Sequence, residues 1–319
     1  MHVSLQRDRS EWLGYVLVFL AAALWATAGT LAKYMMLGAI PPLVLAEMRV
    51  TVASGLLVLI IVWKDRRLLR IKRRDIPYML LLGVVGMAGV HYSYYYAISK
   101  TTIATAILLQ YLGPAFIMLF AVVFQGEAFS GVKVLSLCFA FGGCFLMVGG
   151  YDLAVFDANK AGVVAGLASA GFFAFYSLYG EYGLKKYSVW TILLYGFTAA
   201  SLFWWGLNPP WKVLTAGYSL ETWGLFLVLG VFSVVLPFWM YFTGMRYIRA
   251  TQASITAMAE PVIGGLVAYL FLGETLFALQ FLGAVLVMVG ILLLQVVRSP
   301  QVRAETPCEQ AMSAVQPPQ

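Results

Sequence analysis

The sequence predicts an all-α polytopic membrane protein, with ten transmembrane helices arranged as two inverted five-helix repeats. Three observations predict this fold class. The composition is 62% hydrophobic and only 11% charged over 319 residues, whereas charged residues make up about 25% of a typical soluble domain. Apolar segments long enough to cross a bilayer recur along the chain, and the second half of the chain resembles the first half in sequence.

The apolar segments define the elements. About 20 apolar residues span a hydrocarbon core of about 30 Å at a rise of about 1.5 Å per residue. The first candidate span follows basic residues and contains small residues, as a signal peptide does. It is longer than the apolar part of a signal peptide and has a later counterpart, so we interpret it as a transmembrane helix. The ten predicted spans lie at about 13–35, 43–63, 76–97, 102–124, 132–149, 161–180, 189–207, 223–245, 252–272 and 278–297.

An offset of 147 residues relates the two halves of the chain. The clearest correspondence is between LLQYLGPAFIMLFAVVFQGE at 108–127 and ITAMAEPVIGGLVAYLFLGE at 255–274, in which Pro114 aligns with Pro261 and a Gly-Glu pair ends both stretches. Earlier in the chain the offset is 148. Because each unit has an odd number of spans, the second unit enters the membrane from the opposite side. Inverted repeats of this kind recur in secondary transporters.

The basic residues predict the topology. Of 21 Lys and Arg residues, sixteen lie on the side of the N-terminus, four lie on the other side, and Arg49 lies within a span. The positive-inside rule therefore places both termini in the cytoplasm, and it accounts for the net charge of +7 without nucleic acid. We expect the protein in the inner (plasma) membrane. The predicted units are 13–149 and 161–297. They are flanked by a cytoplasmic N-terminus, 1–12, and a polar Pro/Gln-rich tail, 298–319, whose composition predicts disorder.

Pro114 and Pro261 fall near the middle of their spans and are predicted hinges. Each proline removes the hydrogen bond to the carbonyl four residues earlier, that of Gln110 or Ala257. In hydrocarbon, a freed carbonyl is tolerated only where it faces protein or a water-filled cavity. The paired prolines therefore predict a shared polar cavity at mid-depth. A simple kink, with each carbonyl bonded by a neighbouring helix, is the alternative.

The sequence lacks the residues that several classes of enzyme require. The sequence has no HExxH motif, no P-loop and no Asp within a predicted span, and its histidines are His2 and His91. The cysteines do not have the spacing of a metal site. The sequence therefore predicts neither an enzyme nor a cofactor.

The ionisable residues within spans are the first candidates for function, because they are costly in a membrane. Glu260 lies about eight residues into its span, which is about 12 Å deep and too deep for a short side chain to reach water. We predict that it binds substrate or a proton, with packing as the alternative. Arg49, about 9 Å deep, either reaches the interface with its long side chain or faces a cavity. Glu47 is shallower and is predicted to be interfacial, and solvation is expected at the span ends for Lys33, Glu127 and Glu274.

Amphipathic aromatic residues complete the predicted site. His91 and Tyr95 are four residues apart and therefore share a helix face. A cavity lined by aromatic residues with few charges suits a small amphipathic solute, such as a zwitterionic amino acid with an apolar side chain. A substrate of this kind would place its ammonium near Glu260 and its carboxylate near Arg49. The predicted substrate-binding residues are Trp25, Arg49, His91, Tyr95, Gln110, Tyr111, Tyr176, Tyr195, Trp239 and Glu260.

The stretches 97–147 and 244–294, with their Pro-then-Gly-Glu pattern, resemble the two EamA-type halves of the drug/metabolite transporter superfamily. Trp25 in the first span and MRVTVASGLLVL in the second add to this resemblance. The resemblance implies a ten-helix bundle with a central cavity, lined mainly by spans one to four and six to nine. It also implies a secondary transporter that exports a small metabolite by alternating access, without fixing the substrate, the coupling ion or the oligomeric state.

Two other functions are compatible with these residues. A multidrug exporter could bind lipophilic cations with Glu260 and with aromatic rings through cation–π contacts, although Arg49 opposes such a ligand. A lipid scramblase or an accessory membrane subunit is the alternative from another class. A resistance screen with cationic dyes separates the two exporters, and solute flux and lipid flip of the purified protein in liposomes test the alternative from the other class.

We predict that the C-terminus is cytoplasmic, because the basic residues are distributed sixteen to four between the two sides. A reporter that is active only in the cytoplasm, fused after residue 319, should be active. Fusion of a reporter that is active only outside the cytoplasm is the control. Activity of that second reporter alone would overturn both the ten-span count and the inverted repeat.

Overall fold

A computed structural model describes residues 2–38, 40–150, 159–272 and 277–296. All regular secondary structure in these ranges is helical. The predicted N-terminal segment, 1–12, is described from residue 2 and belongs to the first helix. The predicted tail, 298–319, and the predicted Gly273-Glu274 pair lie outside the described residues.

The first half of the chain forms seven α-helices, with a π-helical segment between the third and fourth. Two short 3₁₀ turns, Arg66–Leu69 and Arg73–Asp75, follow the second helix. The helices are α1 His2–Leu37, α2 Pro42–Lys64, α3 Ile76–Leu81, the π-helical segment Leu82–Ala88, α4 Gly89–Lys100, α5 Ile103–Gln110, α6 Gly113–Phe124 and α7 Gly131–Met147.

The second half repeats this series. Its additional short helix, α10, lies between the counterparts of α2 and α3. The helices are α8 Lys160–Leu184, α9 Val189–Leu207, α10 Pro210–Leu214, α11 Leu220–Leu229, the π-helical segment Gly230–Val235, α12 Leu236–Gly244, α13 Ala250–Ala257, α14 Glu260–Leu272 and α15 Ala278–Val296.

Seven helical stretches in the described residues are long and apolar enough to cross a membrane. They cover α1, α2, α3 to α4, α5 to α6, α8, α9 and α11 to α12. The other three predicted spans coincide with α7, α15 and α13 to α14. The first two are shorter apolar helices, and the third is interrupted at 258–259. The protein is therefore a multi-pass helical membrane protein, and the number of ten crossings stays a prediction.

The irregular backbone is repeated as closely as the sequence. The α-helix is interrupted by a turn at 111–112, between α5 and α6, and at 258–259, between α13 and α14. These two breaks are 147 residues apart, and the two π-helical segments overlap at the same offset. Pro114 and Pro261 are each the second residue of the helix that follows the break. A proline is tolerated there because the first turn has no internal partner for its N–H group.

The packing partners are exchanged between the two halves. Helix α1 packs against α12, α13 and α14, while α8 packs against the corresponding α4, α5 and α6. Helix α2 packs on the second π-helical segment, and α9 packs on the first. The two halves are therefore intertwined, so that each half supplies walls to a common centre.

Two acidic residues that were predicted to be near water are instead buried, so those two predictions are wrong. Glu127 is 5% exposed and is ion-paired with Lys133, which is 4% exposed. Its other carboxylate oxygen accepts a hydrogen bond from the Thr251 hydroxyl at 3.0 Å. Glu47 is buried as well and accepts a hydrogen bond from the side chain of Asn208, just after α9. In each case a neighbouring helix or the loop beside it supplies the partner that water would otherwise provide.

Helices α7 and α15 pack closely through small residues. A Cβ atom placed on Gly143 would lie 2.5 Å from the Gly283 carbonyl oxygen, whereas one on Gly142 would meet nothing within 4 Å. Small residues allow such an approach, which supplies packing energy that the hydrophobic effect does not provide in lipid.

We expect Gly143→Ala to destabilise the protein by about 1–3 kcal/mol, because the added methyl group overpacks the contact between α7 and α15. Gly142→Ala is the matched control. It should be neutral or stabilising by up to about 1 kcal/mol, since Ala favours the helix. Thermal unfolding of both purified variants in detergent checks this, and equal unfolding temperatures would contradict the close contact.

Candidate functional site

A cavity of about 320 Å³ lies at the centre of the bundle, between helices from both halves. Its walls come from α1, α2, α4, α5, α8, α12, α13 and α14, together with Ser233 of the second π-helical segment. Both helix breaks contribute a wall residue, Tyr111 and Met258. The predicted residues that line it are Trp25, Arg49, His91, Tyr95, Gln110, Tyr111, Tyr176, Glu260 and Pro261.

Three predicted residues do not line this cavity. The hydroxyl of Tyr195 donates to the Leu69 carbonyl at 2.6 Å, which directs this side chain to the loop after α2. Trp239 packs against Trp190, with ring centroids 5.8 Å apart. Pro114 is buried beside the break in its helix, at the start of α6. Position within a span does not give the direction in which a side chain points.

Arg49 is held by two neutral side chains of α4. One terminal nitrogen donates to the Tyr95 hydroxyl at 2.9 Å, and the other lies 3.0 Å from His91 Nδ1. The guanidinium carbon is 5.4 Å from the centroid of the Tyr95 ring. Arg49 therefore faces the cavity rather than the interface, which decides between the two roles that the sequence left open.

Glu260 is the first residue of α14, directly after a helix break, and it lies on the cavity wall. Among the described lining residues, Arg49 and Glu260 are the charged ones. The two are not within ion-pair distance of each other, and the described residues supply no hydrogen-bond donor to the Glu260 carboxylate. One positive and one negative group thus face the same space without neutralising each other directly.

Aromatic rings form the wall between these charges. Trp25 packs edge-on against Phe238 at 5.3 Å between centroids, and Tyr176 packs against the same Phe238 at 5.7 Å. The indole N–H of Trp25 donates to the Ser233 carbonyl at 3.2 Å. The polar N–H of Trp25 is thus bonded to the π-helical backbone, and the wall stays apolar.

Helical spacing could have identified one further lining residue, Tyr94. His91, Tyr94, Tyr95 and Ile98 all face the cavity and follow the spacing i, i+3, i+4, i+7 of one helix face. The four-residue spacing alone pairs His91 with Tyr95 and leaves out Tyr94. Phe173 and Phe238, which also line the cavity, are ordinary apolar residues in sequence and carry no signal of their own.

We call the end of the bundle toward which the lining of the cavity extends the open end, and the opposite end the closed end. On α1 and α4 the lining extends to Met36 and Ile98, near the C-terminal ends of these helices. Toward the opposite end, buried polar contacts join the helices: Ser177 with Tyr241 at 3.0 Å, Gln252 with Tyr15 at 2.7 Å, and the Glu127, Lys133 and Thr251 group described above. We call these last three residues the closing cluster.

Comparisons with known proteins agree with this architecture. Residues 12–149 and 160–296 each match the EamA-like transporter family. An uncharacterized transporter of Archaeoglobus fulgidus is 30% identical over 203 residues, which are 63% of this chain and 70% of that protein. The threonine/homoserine exporter RhtA of Escherichia coli K12 is 27% identical over 281 residues, 86% of this chain and 89% of RhtA. A protein of known crystal structure has the same fold, with a TM-score of 0.72 at 20% identity over 88% of this chain and 96% of that one.

Proposed function

Because the chain belongs to the EamA-like transporter family, we propose that it exports a small amphipathic metabolite, an amino acid or a related compound, by alternating access to the central cavity. The observation that carries this proposal is the cavity itself. It combines one acid, one base and an aromatic wall, and its lining extends toward one end of the bundle. The family and the related transporters point to transport rather than to catalysis.

The exchanged packing supports alternation. Each half supplies equivalent helices to the centre, and the two halves have the same breaks and π-helical segments. If the two halves exchanged conformations, the closed end would open and the open end would close. We propose that the ten spans form two inverted repeats, with both termini cytoplasmic. In that topology the open end faces outward, and the closing cluster lies on the cytoplasmic side.

The charges support a zwitterionic substrate. A single acid opposite a single base suits a molecule that carries one ammonium and one carboxylate, and the aromatic wall suits an apolar side chain. RhtA is named as a threonine/homoserine exporter, so a relative handles solutes of this class. Arg49 disfavours a lipophilic cation, because its charge would repel such a ligand across a cavity of low polarity. Sugar phosphates would need more than one basic residue.

The helix breaks support hinges at Pro114 and Pro261. We expect Pro114→Ala and Pro261→Ala to insert and accumulate normally but to transport more slowly. In a straightened helix each Ala would donate its N–H group to the carbonyl four residues earlier, and one such bond, worth about 1 kcal/mol, shifts a two-state equilibrium about fivefold toward that conformation. Flux in proteoliposomes checks this.

Pro210→Ala is the control for the proline variants, because Pro210 begins the short helix α10 away from the cavity. It should transport at the wild-type rate. If both hinge variants also transport at that rate, the repeated proline serves packing alone.

We expect Glu260→Gln to abolish export, or to leave it insensitive to a pH gradient if the carboxylate carries a proton. The substitution keeps the shape and removes the charge that would bind an ammonium or a proton. The measurement is the set of metabolites that accumulate in the medium of overexpressing cells, followed by flux of the same compounds in proteoliposomes. Glu221→Gln, at an exposed position at the start of α11, is the matched control. Normal, pH-dependent export by Glu260→Gln would remove Glu260 from the mechanism.

A further inference from the structure

The hydrogen bonds around Arg49 determine where the hydrogens of its partners lie. A guanidinium has five N–H donors and no acceptor. His91 Nδ1 must therefore accept the bond from Arg49, which leaves the ring neutral with its proton on Nε2. The Tyr95 oxygen accepts the other bond, so the phenolic hydrogen of Tyr95 is free to donate elsewhere. The three side chains together present donors and carry one positive charge.

Two of these donors lack partners although they are buried. Arg49 Nε and His91 Nε2 have no hydrogen-bond partner among the described residues. A buried donor without a partner costs about 1–3 kcal/mol, and such groups in native structures call for a ligand or an ordered water. His91 is 5% exposed and lines the cavity together with Arg49. The two residues with unsatisfied donors thus line the same cavity as Glu260.

We propose that Arg49, His91 and Tyr95 form an anion subsite that binds the carboxylate of the transported molecule. This inference rests on the proposed function and specifies its substrate class as a carboxylate-bearing, zwitterionic solute. A carboxylate has about four acceptor positions, and the guanidinium fork matches its two oxygens. Arg49 supplies the charge, His91 an Nε2–H donor, and Tyr95 both a donor and the contact that fixes the guanidinium plane.

The subsite is present once, although the fold is double. By the 147-residue offset, His91 corresponds to Phe238 and Tyr95 to Phe242, and these rings cannot bind an anion. His91 and Phe238 contact each other across the centre, with ring centroids 6.0 Å apart. The carboxylate therefore binds on the side of the first half. The apolar part of the substrate then packs on Phe238 and its neighbours, and the substrate has one orientation in the cavity.

The test uses matched ligands on the purified full-length protein. The probes are leucine, threonine and phenylalanine, each compared with its amide, which keeps the ammonium but lacks the negative charge, and with the deaminated acid, which keeps the carboxylate. Binding is measured as a shift in unfolding temperature and transport as counterflow in proteoliposomes. For wild type we expect at least one amino acid to bind about tenfold or more tightly than its amide, because a hydrogen-bonded charge is lost.

The variants assign this preference to the subsite. Arg49→Gln should reduce the preference for the amino acid over its amide to within about threefold. His91→Phe and Tyr95→Phe should each reduce this preference in part. Tyr92→Phe is the matched control on the same helix, because Tyr92 is outside the cavity and packs on Tyr96. It should leave the preference unchanged. Glu260→Gln should weaken binding of both the amino acid and its amide but keep the preference between them, because the subsite for the carboxylate is intact.

The following results of these measurements would overturn the proposed anion subsite. The proposed subsite is wrong if Arg49→Gln binds with the wild-type preference, or if the wild-type protein does not distinguish an amino acid from its amide. It is also wrong if chloride alone, at equal ionic strength, produces the shift. If none of the probes binds or is transported, the proposal of a zwitterionic substrate is wrong, and the proposed subsite is wrong as well. The exporter function survives that result if overexpressing cells still release another metabolite.

Discussion

A backbone N–H or C=O group in hydrocarbon has no water to bond, and this constraint decides where the bundle can be irregular. The irregular segments occur in pairs: the breaks at 111–112 and 258–259 and the π-helical segments. Both breaks and the second π-helical segment contribute wall residues to the central cavity. Side chains bond part of the exposed backbone, as the Trp25 indole does with Ser233 and the Cys144 thiol with Met258. The cavity is therefore a consequence of interrupted helices that meet at mid-depth.

The backbone is nearly symmetric, whereas the polar side chains are not. His91 and Tyr95 have Phe238 and Phe242 as their counterparts, and Lys133 of the closing cluster has Gln280. A repeated backbone gives two conformations of similar energy, which is what alternation requires. In the proposed mechanism, the unequal side chains give the substrate one orientation. The repeated backbone would then supply the motion, and the single set of charges would supply the selectivity.

The sequence predicted those features that depend on local pattern. The repeated prolines located both helix breaks, and the depth of Glu260 together with the four-residue spacing of His91 and Tyr95 identified residues that line the cavity. The sequence could not predict which way a side chain within a span points, because Tyr195 and Trp239 are directed by partners on other elements. Burial of Glu127 was equally hidden, since Lys133 and Thr251 approach it only in the folded bundle.

Alternating access is tested most directly by the reactivity of one cavity residue from each side of the membrane. Gln110, which lines the cavity and is half-buried, is changed to Cys in a chain without its three native cysteines, and a membrane-impermeant thiol reagent is applied to vesicles of both orientations. We expect reaction from both sides. Adding Lys133→Gln, which removes the charge that holds Glu127, should raise the cytoplasmic rate and lower the external rate together. Reaction from one side only, or a rise in both rates, would contradict alternating access.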